Sequence, residues 1–518
     1  MALGDKWTYQ VQRFETMRTK CPVHTVTCMN LACLPDRRAQ HDPHGPCVAD
    51  DDTSMTNTQF RQAVADAAST LAAHGVTAGD VVAVMLPNTA SLVVALFAAW
   101  RLGAAATPLN PNLAPAEVAY QVADASAKVL IVEKPLDFEV TASSVLPASA
   151  LTSHSSQVDE PTRVPENALA LLIYTSGTTG KPKGVMLDHA NLNAMCRMVI
   201  DAFALTTADH SLLILPLFHV NGIVAGTVSP LIAGGQITVA GRFSPKTFWS
   251  RIEQCRATYF SAVPTIYTML ADLPAEVDPD TTSLRFAVCG AAPASVELLD
   301  KFETRYDVPI VEGYGLSEGS CASTVNPLNG TRKAGTVGLP LPGQTIRIVD
   351  ANGKPVGGGE AGEVLIQGPN VMRGYLNRPD ETAKTLVDGW LHTGDVGRLD
   401  EDGYLVLVDR AKDMIIRGGE NIYPKEIETV AYQLPEVAEA AVVGRANPVY
   451  GEEPVLFVAL NSGATLSANQ IREYLAAGLA KYKLPVEIII SDTLPKNPVG
   501  KLDKPALRKN LLAVTPDG

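Results

Sequence analysis

The sequence predicts an α/β protein: a large N-terminal body of α/β layers carrying a β subdomain, then a small C-terminal α+β domain. Three observations predict this. Short apolar runs alternate with amphipathic helical segments from Thr58 to Glu312. The texture changes at Gly335 to β runs separated by Gly and Pro. A compact unit of helices and strands follows Arg410. Strands alternating with helices favour parallel sheets covered on both faces.

Residues 1–50 are irregular and rich in Pro, His and Asp, and no element is assigned to them. Thr58 is placed to cap a helix with Phe60, Val64, Ala67, Ala68 and Leu71 on one face, ended by Gly75. Val81–Met85 is an apolar run stopped by Pro87, and Lys128–Val132 is a second such run. The apolar helix over 90–102 is too short to span a bilayer and fits a buried position. The Ser/Pro-rich stretch 134–166 is expected to be a connecting loop. Leu169–Tyr174 is the next strand, with a helix expected over 188–202. Further short apolar runs lie at 212–215, 236–239, 258–263, 285–289 and 309–312. β runs are expected at 345–349, 363–367 and 403–408. In the C-terminal unit, helices are expected over 425–433 and 468–480, with strands over 437–443, 455–460 and 486–490.

Composition bounds the function. The 518 residues carry 42 basic and 55 acidic side chains, a formal charge of −13. That balance disfavours non-specific nucleic-acid binding, which rests on lysine and arginine displacing counterions, and disfavours an anionic membrane surface. The N-terminus has no apolar core of a secretory signal. Eight cysteines are present. Cys21, Cys28, Cys33 and Cys47, with His24, His41 and His44, lack tight metal-ligand spacing. They fit reduced thiols of a cytoplasmic protein.

The strongest chemical signal is Tyr174-Thr175-Ser176-Gly177-Thr178-Thr179-Gly180-Lys181-Pro182-Lys183-Gly184. It is read as a loop between a strand and a helix. Its glycines let backbone N–H groups converge, its hydroxyls donate to phosphate oxygens and its lysines neutralise charge. Thr175 and Pro182 stand where a Walker A loop needs Gly and Ser/Thr, so a P-loop kinase is disfavoured.

This loop resembles the signature of the adenylate-forming superfamily, which includes acyl-CoA synthetases, amide-forming acid ligases and peptide-synthetase adenylation domains. The likeness runs from about Asn30 to Leu507. It implies an N-terminal adenylate-forming domain over 1–410 and a mobile C-terminal domain over 411–518, with Lys412 at the hinge. It implies that Gly290, Ala291 and Ala292 lie along adenine. In Glu312-Gly313-Tyr314-Gly315-Leu316-Ser317-Glu318, it implies that Tyr314 stacks on adenine, Ser317 contacts the α-phosphate and Glu318 reaches Mg²⁺. Asp395, in Thr393-Gly394-Asp395, and Arg410 would hold ribose. Gly418 and Gly419 would line the thiol tunnel, His219 would gate the acid pocket, and Lys501 would be the catalytic lysine.

The resemblance thus implies ATP, Mg²⁺ and CoA as partners of a small carboxylic acid. The leading expectation is a CoA ligase; the alternative delivers the acyl-adenylate to an amine, as coronafacate ligase does. A non-catalytic nucleotide binder is disfavoured by intact Lys501, Glu318 and Asp395. No feature fixes the oligomeric state, a homodimer included. The expected acid-pocket segments 219–226, 263–267 and 313–323 contain no Lys or Arg. That favours a hydrophobic acid over a dicarboxylate, whose second charge would need a partner. Gly222, Gly226 and Gly319 are expected to leave room for it.

Overall fold

A computed structural model describes residues 30–152, 158, 160–175, 182–290, 294–410, 413, 415–417, 420–422, 424–447, 450–479, 481–496 and 502–514. Among them four sheets form. The largest runs in the order 339–340, 324–325, 310–314, 286–289, 259–262, 210–213, 236–239, 46–49 and 54–56. Its central strands, from Ile310–Tyr314 to Pro46–Ala49, pair in parallel, and both ends finish antiparallel. The second sheet runs 374–375, 183–188, 169–175, 105–108, 81–85, 129–132 and 144–147.

The parallel strands are apolar on both faces, as their burial requires. Tyr259–Ala262 and Phe286–Cys289 are buried throughout. Helix Ala90–Arg101 is buried at every position except Ser91, in keeping with its apolar run. Trp100 donates its indole N–H to Ala170 O at 2.8 Å, which satisfies the one polar atom that a core indole brings inside.

Several expectations need revision. Thr56, two residues upstream of Thr58, caps helix Asn57–Ala73: its hydroxyl accepts from Gln59 N and its own N–H donates to Gln59 Oε1. The reciprocal capping box outweighs the single hydroxyl at Thr58. Residues 30–50 are not irregular. They supply helix Leu34–His41 and strand Pro46–Ala49, which docks beside Gln236–Val239. The stretch 134–166 contains strand Ser144–Pro147, parallel to Val129–Val132. As an edge strand with little apolar content, it gave no periodic signal.

The expected β subdomain is a separate sheet in which Thr345–Val349, Gly362–Gln367, Trp390–Leu399 and Leu386–Val387 follow one another. Leu405–Arg410 pairs along Trp390–Leu399. The strands Leu339–Pro340 and Thr324–Val325 belong instead to the large sheet. The C-terminal domain packs helices Pro424–Tyr432 and Ala468–Gly478 on one side of the hairpin Val437–Asn447 and Gly451–Leu460. Helix Lys504–Val514 contributes Leu507 and Leu511 to a second apolar cluster against the same hairpin.

One buried charge ties the N-terminal segment to the body. Arg101 is fully buried and bonds Asp36 through both guanidinium nitrogens, at 2.6 and 3.3 Å, and Val158 O at 3.1 Å. Removing Asp36 takes away the carboxylate that compensates this buried charge at both terminal nitrogens. Asp36→Ala is therefore expected to destabilise the body by about 3–5 kcal/mol, seen as a lower denaturation midpoint at neutral pH. An unchanged midpoint would mean that water reaches Arg101.

Candidate functional site

The parallel strands of the large sheet deliver their carboxyl ends to one edge, where open α/β sheets hold ligands. Cys289 and Glu312 are register partners there. Gly290 follows Cys289, and a Cβ on Gly290 would stand 3.4 Å from Gly313 O. Two of the predicted segments, 290 and 312–318, are thus adjacent. Ala291 and Ala292 lie outside the described residues.

Strand Ile310–Tyr314 carries Tyr314 to a buried position, where its hydroxyl donates to Asp395 Oδ2 at 2.6 Å. Asp395 is itself buried. Its turn is heavily fixed. Thr393 Oγ1 donates to Val364 O at 2.6 Å and accepts from Asp395 N at 3.0 Å. Gly394 adopts φ +67° and donates to Glu363 Oε1 at 3.1 Å, and His392 bonds the other oxygen of Glu363 at 2.9 Å. A residue with a Cβ is rarely found at that backbone angle, which explains the glycine. Strand pairing sets Arg410 opposite Asp395.

Beyond Tyr314 the chain doubles back tightly. A Cβ on Gly315 would lie 1.9 Å from Cys321 O, so only glycine fits. Ser317 and Glu318 occupy a single 3₁₀ turn. Met372 N donates to Glu318 O at 2.8 Å and Asn370 Nδ2 to Gly319 O at 2.8 Å. Tyr375 donates its hydroxyl to Glu318 Oε1 at 2.9 Å. The carboxylate is therefore oriented. A hard carboxylate held beside a phosphate-binding segment suits Mg²⁺, which is usually bound by one or two carboxylates plus substrate phosphates.

The Gly/Thr/Lys loop has a different setting from the one expected. Thr175 ends strand Leu169–Thr175 and Lys183 begins strand Lys183–Asp188, and the two are antiparallel register partners. The described residues on either side of the loop are thus two antiparallel strands. Helix His189–Phe203 begins only after the second strand, not directly after the loop as expected. Ser176, Gly177, Thr178, Thr179, Gly180 and Lys181 lie outside the described residues. Lys183 forms an ion pair with Glu381 and sits 4.7 Å from the Tyr375 ring centroid.

His219 precedes the short helix Val220–Ile223, with its ring 4.6 Å from that of Phe218. Asn88 braces this gate segment by accepting from Leu217 N and donating to Leu215 O, both at 2.9 Å. The three pocket glycines do not leave room as expected. A Cβ on Gly222 would meet Pro216 O at 2.8 Å, one on Gly226 would meet Leu213 Cδ1 at 2.5 Å, and one on Gly319 would meet Ser323 Oγ at 3.2 Å. They allow close packing of the wall instead.

Lys501, Lys412, Gly418 and Gly419 lie outside the described residues, as do Cys21, His24 and Cys28. Sequence reasoning missed Tyr375, Glu381, Asn88 and Lys425. Lys425, near the start of helix Pro424–Tyr432, donates to Leu407 O at 2.9 Å. Its charge acts on Glu312. Burial pushes the Glu312 carboxyl up to about 7, Lys425 opposes that rise and Glu303 adds to it. Among the described residues no helix is long and apolar enough to cross a membrane.

Known proteins place these features in context. Residues 35–376 match the profile described as AMP-binding enzyme, and 426–501 that of the AMP-binding enzyme C-terminal domain. A feruloyl-CoA synthase of an Amycolatopsis species is 37% identical over 92% of this chain and 98% of its own. The solved structure of ATP-bound MatB from Rhodopseudomonas palustris is 31% identical, with TM-score 0.87, over 93% of this chain and 99% of its own. The o-succinylbenzoate CoA synthetase of Bacillus subtilis, solved with an acyl-adenylate intermediate, is 33% identical. Its TM-score is 0.84, over 94% of this chain and 98% of its own.

Glu312 has a raised carboxyl pKa, so the folded state binds a proton that the unfolded chain releases near pH 4.5. Its contribution to stability is complete below about pH 4.5 and is lost as pH rises through about 7. Glu312→Gln is expected to raise the melting temperature at pH 8 more than at pH 5. Equal shifts at the two pH values would contradict the burial argument.

Proposed function

This chain belongs to the AMP-binding enzyme family, and on that premise we propose that it is an ATP-dependent acid–CoA ligase acting on a hydrophobic carboxylic acid. The observation that carries the reading is the meeting of Gly290, Tyr314, Glu318 and Asp395 at one sheet edge, beside the strands that flank the phosphate loop. Asp395, oriented by Tyr314, accepts from the ribose hydroxyls. Tyr314 and Gly290 flank adenine, with Ala291, Ala292 and Gly313 completing that wall. The loop 175–183 holds the phosphates, with Ser317 at the α-phosphate. Glu318 would hold Mg²⁺, and the ion would supply charge neutralisation on the phosphate oxygens.

A carboxylate is a poor acyl donor because it is anionic and its oxide leaves badly. In the first half-reaction a carboxylate oxygen bonds to the α-phosphorus of ATP and pyrophosphate departs. Two anions approach, so fixed positive charge at the reacting centre lowers the barrier. Lys501 is assigned that role, and the loop lysines steady the leaving group. In the second half-reaction the CoA thiol attacks the acyl carbon, AMP leaves and the thiol proton passes to solvent. The C-terminal domain turns about Lys412, withdrawing Lys501 and presenting Gly418 and Gly419 to the pantetheine arm. Arg410 is a second ribose contact.

CoA as acceptor is supported over an amine by relatives whose names specify CoA as the acceptor. The hydrophobic acid is supported by the lack of Lys and Arg in segments 219–226, 263–267 and 313–323 and by the apolar Val220, Ile223 and Val224 that follow His219. The close-packed glycines there favour a slim or planar acid. Incubation with ATP, Mg²⁺, a panel of hydrophobic acids, CoA and mixed amino acids, read by mass, is expected to give a thioester. An amide without thioester would overturn the choice of acceptor. In the same mixture Lys501→Ala is expected to lose at least about 10²-fold in adenylation while still converting preformed acyl-adenylate to thioester. Equal loss of both half-reactions would contradict the role of Lys501.

A further inference from the structure

Tyr375 touches both halves of the nucleotide site. Its hydroxyl donates to Glu318 Oε1 at 2.9 Å, while its ring lies 4.7 Å from the Lys183 ammonium. Lys183 is paired with Glu381, and both side chains are largely withdrawn from solvent, at 13% and 27% exposed. The four groups form a continuous chain, Glu318–Tyr375–Lys183–Glu381.

We propose that Tyr375 is a positioning residue that couples Lys183 to the metal-binding carboxylate, with Glu381 the resting partner of Lys183. The proposal rests on the acid-ligase reading above. The backbone at Tyr375 is secured without the hydroxyl. Gly374 and Tyr375 pair with Met186 and Val185, and Tyr375 N donates to Thr382 Oγ1 at 2.9 Å. The turn carrying Glu318 is likewise fixed by hydrogen bonds to residues 370 and 372 that do not involve Tyr375. The hydroxyl is therefore not needed to hold the backbone; it meets the Glu318 carboxylate, with the Thr385 side chain beside it. It donates to that carboxylate at 2.9 Å. Among the described residues, Lys183 meanwhile rests on the Glu381 carboxylate and a ring face. An arriving polyphosphate offers several negative charges and draws it from Glu381 toward the loop.

The test is calorimetric titration of ATP at a series of Mg²⁺ concentrations. Tyr375→Phe keeps the ring and the cation–π contact but removes the donor. It is expected to raise the Mg²⁺ concentration for half-maximal ATP binding by about tenfold, the order expected for one hydrogen bond to a charged group. Binding in EDTA stays unchanged. In a Glu318→Gln background the second substitution is expected to add nothing. Glu381→Gln is expected to tighten ATP binding equally with and without Mg²⁺, because it frees Lys183; it also serves should Tyr375→Phe fail to fold. An unmoved Mg²⁺ dependence in Tyr375→Phe, an equal loss with and without Mg²⁺, or no effect of Glu381→Gln would overturn the proposal. Wild-type protein that binds no ATP would overturn the acid-ligase reading as well.

Discussion

The buried hydrogen bond from Tyr314 to Asp395 is the contact on which the rest of the site depends. Tyr314 ends a strand of the large α/β sheet, and Asp395 lies in a strand of the separate β subdomain. The bond is 2.6 Å long and both residues are buried. In so dry a position it is stronger than it would be in water, and the loss of either partner would weaken the join between the two strands. It fixes two sheets relative to one another at the edge where the parallel strands end. Everything read as nucleotide recognition is measured from that edge: Gly290 beside Gly313, Glu318 on its turn, and Arg410 opposite Asp395 in the ladder.

Charge in this region is arranged by pairing. Lys183 is held by Glu381, Glu318 by a neutral phenol, and Glu363 by His392 and Gly394 N. Glu312 is the exception. Its burial outweighs the stabilising charge of Lys425, which comes from the C-terminal domain. The domain that is proposed to turn between half-reactions thus contributes a cation beside the nucleotide edge in this arrangement. When Lys425 leaves, the cost of ionising Glu312 rises further, so the titration of this carboxyl is linked to the position of the domain.

Much of this was legible in the sequence. Motifs such as Tyr314-Gly315-Leu316-Ser317-Glu318 and Thr393-Gly394-Asp395 combine special backbone with chemistry, so their glycines mark turns that the structure confirms at Gly315 and Gly394. The apolar strands were equally visible, because a buried parallel strand must be apolar on both faces. What escaped depends on long-range pairing. Strand Pro46–Ala49 is specified by its neighbour Gln236–Val239, far along the chain. Tyr375 and Glu381 lie in a short strand and a short helix with no periodic signal, and acquire meaning only when Lys183 is folded beside them. The pocket glycines were misjudged because sequence shows that a side chain is missing, not what occupies its place. Pro216 O and Leu213 fill the space at Gly222 and Gly226.

The central claim is that segments 312–318, 392–396 and 174–184 together hold the nucleotide. Hydrogen exchange by mass spectrometry, with and without AMP, measures this most directly. The account predicts slowed exchange in peptides covering those three segments together, with the strands at 81–85 and 129–132 unchanged. Protection confined to the C-terminal domain, or absent from 312–318 and 392–396, would contradict it.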